Sequence, residues 1–375
     1  MTKPKLLIVW HGALFPSYRR AFWRLQTEHG WDVHLLAARS WSKAMPRRTR
    51  FQPAPEEPIH VHLQRAWFGL HGAVHLHPFF PWLMGRLKPD LLYVIEEPFS
   101  VMAWLAAYMA TRRVPPTPFA LYAYQDIYKK YPPPFRWMER FVLEHAARVL
   151  VPNIDAGKVA ERKHYRGLWD VLPATVDLEK FAYRRRTNES ELFTLGYVGR
   201  LAEEKGLRDL LWALSHCDDR IRLRLAGDGP ARHRLGVLAK ELGVDERLAF
   251  LGPIAHEELP AFYHEIDALV LPSRTTPQWR EQFGRVLIEA MACGAPVIGS
   301  DSGAIPSVIG DAGIIFAEGE ADALVNKIEL LANDPRWQNE LSLRGRVHAE
   351  QNYGVDRVAE KLHRHLTEAL HARRD

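Results

Sequence analysis

Cysteine is nearly absent from this sequence of 375 residues: only Cys217 and Cys293 occur, neither with a second Cys or a His at metal-ligand spacing. That excludes a disulfide framework and argues against a structural zinc built on thiolates, and it fits a reducing cytoplasm. Long apolar runs are also missing. The opening MTKPKLLIVWHG is too short in apolar residues for a signal peptide, so the mature chain is expected to begin at Met1. The longest apolar stretch, residues 99–111, is bounded by Glu96, Glu97, Arg112 and Arg113 and falls short of the roughly 20 residues needed to cross a bilayer. No transmembrane helix is predicted. No Gly-x-Gly-x-x-Gly fingerprint follows the first strand, where HGALFPSYRR stands instead, which argues against hydride chemistry on a dinucleotide. Helix-turn-helix, zinc-finger and aromatic-strand signatures are lacking too, so no nucleic-acid partner is expected.

What is present is an ordinary globular composition, 47% hydrophobic and 25% charged, in a chain longer than one core usually supports, so two domains are expected. The net charge of +5 is uneven: residues 1–140 carry 19 Lys and Arg against 9 Asp and Glu. Arg19, Arg20, Arg24, Arg47, Arg48, Arg50, Lys129 and Lys130 lie there among aromatic residues. The mixture suits an anionic membrane surface or an anionic acceptor, and suits equally well an ordinary solvated face. Short apolar runs at 5–10, 32–37, 90–95, 118–124 and 148–151 alternate with helical patterns, and the rhythm resumes at 192–198, 221–226, 248–251, 267–271, 296–299 and 313–316. This is the pattern of α/β architecture with two Rossmann-like, doubly wound parallel-sheet domains, whose strand ends line a shared cleft if the two are facing across a cleft. The expected division is 1–178, 190–355 and a last helix, 356–375, that could cross back to the first domain. Residues 175–191, with the charged run Arg184 to Arg186, fit neither element type and form the expected linker.

Two segments carry chemistry. In the first, the run 195–198 leads into Gly199-Arg200-Leu201 and Glu204-Lys205-Gly206 before a helix near Leu207. Gly199 and Gly206 permit positive φ or close ligand approach, the helix offers free N–H groups, and Arg200 and Lys205 add two cations, which together suit a diphosphate. A solvated surface loop accounts for the same residues taken alone. In the second, Glu281 and Glu289 stand eight positions apart with Phe283-Gly284 between them, and Gly294 closes the intervening helix. Glu289 falls on the apolar side of that helix, where an unpaired carboxylate is costly, so it needs a polar partner: sugar hydroxyls, or a salt bridge within the domain.

These motifs resemble those of the retaining family 4 glycosyltransferases, members of the glycosyl transferases group 1 with the GT-B fold. Leu225 to Pro230, Phe250-Leu251-Gly252 and Ala292 to Val297 support the likeness, which spans residues 190–335 and is looser before them. The resemblance implies a hexose donor linked to a nucleotide diphosphate (UDP or GDP), with Arg200 and Lys205 on the diphosphate, Glu289 on the ribose, and Glu281 with Phe283 and Gly284 on the hexose. It implies transfer with retention, Arg200, Lys205 and Glu281 as the catalytic set, no cofactor and no tightly bound metal. The first loop offers only Gly12 as a backbone approach point for the nucleotide sugar where many members have a glycine pair, and Gln125 and Asp126 stand where many have a histidine. These two are expected on the acceptor or hexose side, or as a structural turn. Acceptor choice is expected in the first domain, at Ser17, Tyr18, Arg19 and residues 128–136. The acceptor would be a saccharide, a lipid-linked sugar or a small molecule of cell-envelope or glycan biosynthesis, met in the cytoplasm or at the inner face of the membrane. A nucleotide-sugar epimerase or hydrolase, or a silent nucleotide-sugar-binding protein, would present the same donor residues. The histidines His60, His62, His71, His75 and His77 show no ligand pairing on a common helix face and are read as aqueous surface or cleft rim, not metal.

Overall fold

The computed structural model describes residues 3–41, 49–68, 73–185 and 190–372. His71, Arg47, Arg48 and Arg186 lie outside the described residues. The chain divides into two compact units, Met1–Thr175 with Val355–Asp375, and Val176–Gly354.

The first unit contains strands β1 (Lys5–Val9), β2 (Asp32–Ala38), β3 (Ser40–Trp41), β4 (Thr49–Arg50), β5 (His60–Gln64), β6 (Leu91–Ile95), β7 (Phe119–Tyr122), β8 (Arg148–Val151) and β9 (Trp169–Val171). Its helices are α1 (Pro16–Thr27), α2 (Phe80–Leu87), α3 (Val101–Thr111), α4 (Phe135–His145) and α5 (Ile154–Arg162). Seven strands form one parallel sheet in the order β5-β2-β1-β6-β7-β8-β9, and β3 and β4 pair separately. The central strands are buried along their length because helices cover both faces, which is why each reads as an unbroken apolar run.

The second unit contains β10 (Phe193–Val198), β11 (Ile221–Ala226), β12 (Leu248–Gly252), β13 (Ala268–Leu271), β14 (Val297–Ser300) and β15 (Ile314–Phe316). Its helices are α6 (Leu207–His216), α7 (Arg232–Glu241), α8 (Leu259–Glu265), α9 (Arg285–Cys293), α10 (Ile305–Ile309), α11 (Ala321–Asn333) and α12 (Pro335–Tyr353). Six parallel strands run β12-β11-β10-β13-β14-β15. Its core includes Leu195, Leu211, Leu225, Leu269 and Ile298.

Helix α13 (Val355–His371) belongs to the first unit. Val358, Leu362, Leu366 and Ala369 recur on one stripe and enter the same core as Leu25, Trp31 and Tyr93. Around that stripe Arg24 Nε donates to Asp356 at 2.6 Å, Trp31 Nε1 to His363 at 3.0 Å, and Arg148 pairs with Glu368 at 2.8 Å.

In both sheets the strand order reverses at the first strand. β1 lies between β2 and β6, and β10 between β11 and β13. In open α/β sheets the loops leaving such a strand are where ligands sit. Gly12 follows β1, and Gly199 follows β10.

Candidate functional site in each unit

In the second unit, β10 ends at Val198 and the chain turns through Gly199 into a 3-10 turn at Glu203–Lys205. The buried Tyr197 hydroxyl donates to Arg200 O at 2.9 Å and fixes the turn, while the Arg200 side chain is exposed. Gly206 has φ 66°, and a Cβ there would stand 1.8 Å from Pro272 O. Only glycine lets the segment after β13 close onto this turn. The closure sets Lys205 Nζ 2.7 Å from Glu281 Oε2, with side-chain exposures of 17% and 12%. Ser273 Oγ donates to the same oxygen at 2.9 Å, and the Lys205 ammonium sits 4.4 Å from the Trp279 ring centre. Gly303, at φ 55°, plays a matching part: a Cβ would come 2.2 Å from Glu281 O, which accepts from Ala304 N at 2.9 Å. A cation and a carboxylate are thus held together at the head of the sheet. Free, the pair balances itself. Either group can turn to a ligand that offers the opposite charge or hydroxyl donors.

Glu289 lies in α9, which Gly284 opens at φ 79° and Gly294 closes at φ 85°. Its carboxylate is buried and internally partnered: Tyr263 Oη donates to Oε2 at 2.9 Å, and His256 Nε2 lies 3.4 Å from Oε1. Lys180 Nζ meets His256 Nδ1 at 2.7 Å, so a protonated lysine leaves the imidazole proton on Nε2, facing the carboxylate. Burial, then the Glu289 charge, push the Tyr263 hydroxyl well above its ordinary value, keeping it a donor. The polar partner that the sequence demanded is supplied within the unit. Phe283 is half-buried and meets the Tyr353 ring edge-on at 5.7 Å, which anchors the loop from below. A cavity of ≈ 370 Å³ between α6 and α7, lined by Arg208, His233 and Leu238 among others, contains none of Arg200, Lys205, Glu281 or Glu289.

In the first unit, Gly12 packs on Trp10, whose Nε1 would lie 2.8 Å from a Cβ at that position. His11 Nδ1 lies 2.6 and 2.7 Å from the two oxygens of Glu96, the residue after β6, and His11 N donates to it at 3.1 Å. His75 Nε2 is 3.3 Å from the same carboxylate. Burial would raise Glu96, but His11 and His75 outweigh it and hold the group well below the usual carboxylate range. Its neighbour Glu97 goes the other way: burial pushes it up to about 7 against the pull of Lys163. Two adjacent carboxyls with opposed shifts are a pattern that clusters at functional sites. Gln125 and Asp126, beyond β7, are buried; Gln125 Oε1 accepts from Lys163 Nζ at 2.8 Å and its Nε2 donates to Tyr131 Oη at 3.2 Å. Lys163 also pairs with Glu139, and Tyr131 stacks on Phe99 at 4.1 Å. Because β1, β6 and β7 are parallel neighbours, Gly12, Glu96, Glu97 and Gln125 share one end of the sheet.

Two expectations are corrected. His75 and His77 are fully buried, not on an aqueous surface, and burial lowers His77 to about 4. Arg19 is buried as well: it donates to both Glu57 oxygens at 2.5 and 2.6 Å and to Ala13 O and Gln52 O at 3.0 Å. Fully buried, and with four of its five N–H groups occupied in these bonds, the guanidinium is not presented to a membrane or an acceptor. Trp279, Ser273, Tyr263, His256 and Lys180 were not anticipated. Ser273 and Trp279 stand just ahead of Glu281 in the chain and meet Glu281 and Lys205 respectively, whereas Tyr263 and His256, the latter backed by Lys180, reach Glu289 from segments with no spacing relation to it. Glu96 and Glu97 were visible as charges closing an apolar strand. Among the described residues no helix is long and apolar enough to cross a membrane.

The fold is that of the GT-B glycosyltransferases: two parallel-sheet α/β units that match solved structures along nearly the whole chain. Sucrose-phosphate synthase from Thermosynechococcus elongatus aligns with a TM-score of 0.74 at 20% identity, covering 98% of this chain and 100% of that one. The Anabaena protein Alr3699/HepE, solved in complex with UDP, gives 0.75 at 17% identity over 97% and 99%. Residues 179–348, which lie within the second unit, match the family model of the glycosyl transferases group 1. Among curated relatives, a GDP-mannose-dependent alpha-(1-6)-phosphatidylinositol monomannoside mannosyltransferase of Mycolicibacterium smegmatis is 32% identical over 48% of this chain and 52% of its own length. A 2-deoxystreptamine N-acetyl-D-glucosaminyltransferase of Streptomyces fradiae is 28% identical over 63% and 61%. The chain spans between about half and three fifths of these relatives' length.

Proposed function

We propose that this protein is a retaining glycosyltransferase that moves a hexose from a UDP- or GDP-linked sugar to a saccharide, lipid-linked or small-molecule acceptor. The contact between Lys205 and Glu281, built on a glycine turn where the second sheet reverses, is the observation that carries the reading. In this reading Arg200 and Lys205 bind the donor diphosphate and neutralise it as the glycosidic bond breaks. Diphosphate binding would draw Lys205 off Glu281, whose freed oxygen then accepts hydrogen bonds from the hexose hydroxyls. Glu289, oriented by Tyr263 and His256, offers its remaining lone pairs to the ribose, and Gly284 permits close approach at the head of α9. The substitution takes place on one face of the sugar: a diphosphate oxygen receives the acceptor proton, so no protein nucleophile is required. The first unit supplies the acceptor side, with Gln125 and Asp126 at the end of its sheet, while Gly12 at the same end lets the nucleotide sugar approach the backbone. The acceptor remains a class: the mannosyl and aminocyclitol relatives differ in what they glycosylate.

The test begins with a thermal-shift panel of UDP, GDP, ADP and their hexose conjugates on wild type, Lys205→Ala and Glu289→Ala, followed by turnover with the stabilising donor. One nucleotide should stabilise the wild type. Loss of a single charged donor to the leaving group should cost Lys205→Ala on the order of 10²–10³ in kcat, a larger factor than in donor affinity. Proton NMR of the product should show the donor's anomeric configuration. Unchanged turnover in Lys205→Ala would overturn the catalytic assignment, and an inverted product the retaining one.

A further inference from the structure

The β5 edge of the first sheet carries a group of side chains that the donor chemistry leaves unused. Asp32 and His34 on β2 and His60 and His62 on β5 project from the same face, because β2 and β5 are parallel and pair His34 with His60 and Leu36 with His62. They stand toward the start of these strands, away from the end that bears Gly12. His34 is 8% exposed, yet its Nε2 has no hydrogen-bond partner. An imidazole nitrogen buried in that condition is costly unless something occupies it.

The spacing indicates what that would be. His34 Nε2 lies 3.4 Å and His60 Nε2 3.5 Å from Asp32 Oδ1, and the three atoms fall within 4.8 Å of one another. These distances are long for N–H···O hydrogen bonds, whose mode is about 2.9–3.0 Å. They match the edge of a tetrahedron of ligands around a cation with bonds of about 2.0–2.1 Å, which is about 3.3 Å. A second histidine and carboxylate group among the described residues of this unit behaves differently, since His11 Nδ1 approaches Glu96 to 2.6 Å, a hydrogen-bond length.

We propose that Asp32, His34 and His60 form a site for a divalent transition cation of the zinc class, with water as the fourth ligand. His62 orients His34: its Nε2 is 3.0 Å from His34 Nδ1, so a proton held between them leaves the His34 Nε2 lone pair free for the metal. This is the outer-shell hydrogen bond that ligating histidines generally make. The water enters from the His60 side, which is 57% exposed. Two neutral imidazoles and one carboxylate suit zinc better than magnesium or calcium, which take oxygen ligands. The nearby cation Lys5 turns its Nζ toward Leu87 O at 3.1 Å. The site ties edge strand β5 to β2, and it goes beyond the glycosyl-transfer reading without depending on it.

The test uses the full untagged chain, stripped with a chelator and titrated with Co²⁺ and then Zn²⁺, with metal content and visible absorption as readouts and no sugar donor present. Wild type should take up one equivalent, give a cobalt band that zinc abolishes, and gain thermal stability on loading. His60→Ala and Asp32→Asn, at partly exposed positions, should each weaken binding at least 100-fold, and His62→Ala about 10- to 100-fold. His11→Ala should bind as wild type does. Failure of the wild type to take up an equivalent would overturn the proposal, as would uptake that survives in both His60→Ala and Asp32→Asn or disappears in His11→Ala.

Discussion

Glu97→Gln gives a direct measurement of what a buried carboxyl costs this fold. Glu97 Oε2 is buried without a hydrogen-bond partner, and Glu96, Asp126 and Glu139 add negative charge around it, so the fold prefers its neutral form and raises it to about 7. The sign follows from proton counting. Between the ordinary value of 4.5 and about 7 the folded chain holds a proton that the unfolded chain has lost, so stability falls as pH rises through that window. Moving one carboxyl that far is worth about 3 kcal/mol, fully lost only above the folded value. Glutamine keeps the shape and the neutral amide at every pH. Urea denaturation of wild type and variant at pH 4.5 and pH 8 should therefore show Glu97→Gln gaining about 3 kcal/mol on the wild type between the two conditions. Other titrating groups contribute to both proteins and cancel in the difference. Parallel stability profiles would refute the reasoning and imply that Lys163 neutralises Glu97 in the fold.

Other outcomes follow from the contacts described. Gly206→Ala forces a Cβ onto Pro272 O at a left-handed φ; the backbone term alone costs roughly 1–2 kcal/mol, so chemical denaturation should show a loss above that figure, together with weakened donor binding. Tyr263→Phe leaves the buried Glu289 carboxylate short of a donor and should cost about 1–3 kcal/mol, read as a lower midpoint with unchanged slope. Arg19→Ala strips the buried Glu57 of its charge partner and should destabilise by about 3–5 kcal/mol in the same assay, whereas removing the charge of exposed Arg65 should change little.

The parts of this molecule that were legible in its sequence are those that obey a short-range rule. The run 148–151 is strand β8 with the same bounds, where Val149 to Val151 are buried in succession, and 221–226 is β11, where buried Ile221, Leu223 and Leu225 alternate with Arg222 and Arg224. Edge strands escape that rule. β5 reads His-Val-His-Leu-Gln and β9 Trp-Asp-Val, half solvated and too polar or short to stand out. In the site, Lys205 and Glu281 were marked by the glycine turn and the paired glutamates, but their contact depends on Gly206 and Gly303 touching backbone far away in sequence. His75 and His77 lie in a stretch without periodicity, so nothing in their neighbourhood announced that they would be wholly buried.

Helix α13 also has a consequence for the order in which the protein can be made. Residues 176–354 form an uninterrupted unit whose ends meet, Val176 N donating to Tyr353 O at 2.9 Å, so all its contacts exist once that stretch has left the ribosome. The first unit must wait. Its core lacks Val358, Leu362, Leu366 and Ala369 until synthesis passes residue 371, and until then Leu25, Trp31 and Tyr93 have one wall missing. The half of the chain translated first is therefore the half completed last, and a nascent chain stalled before α13 would present an exposed apolar face to chaperones.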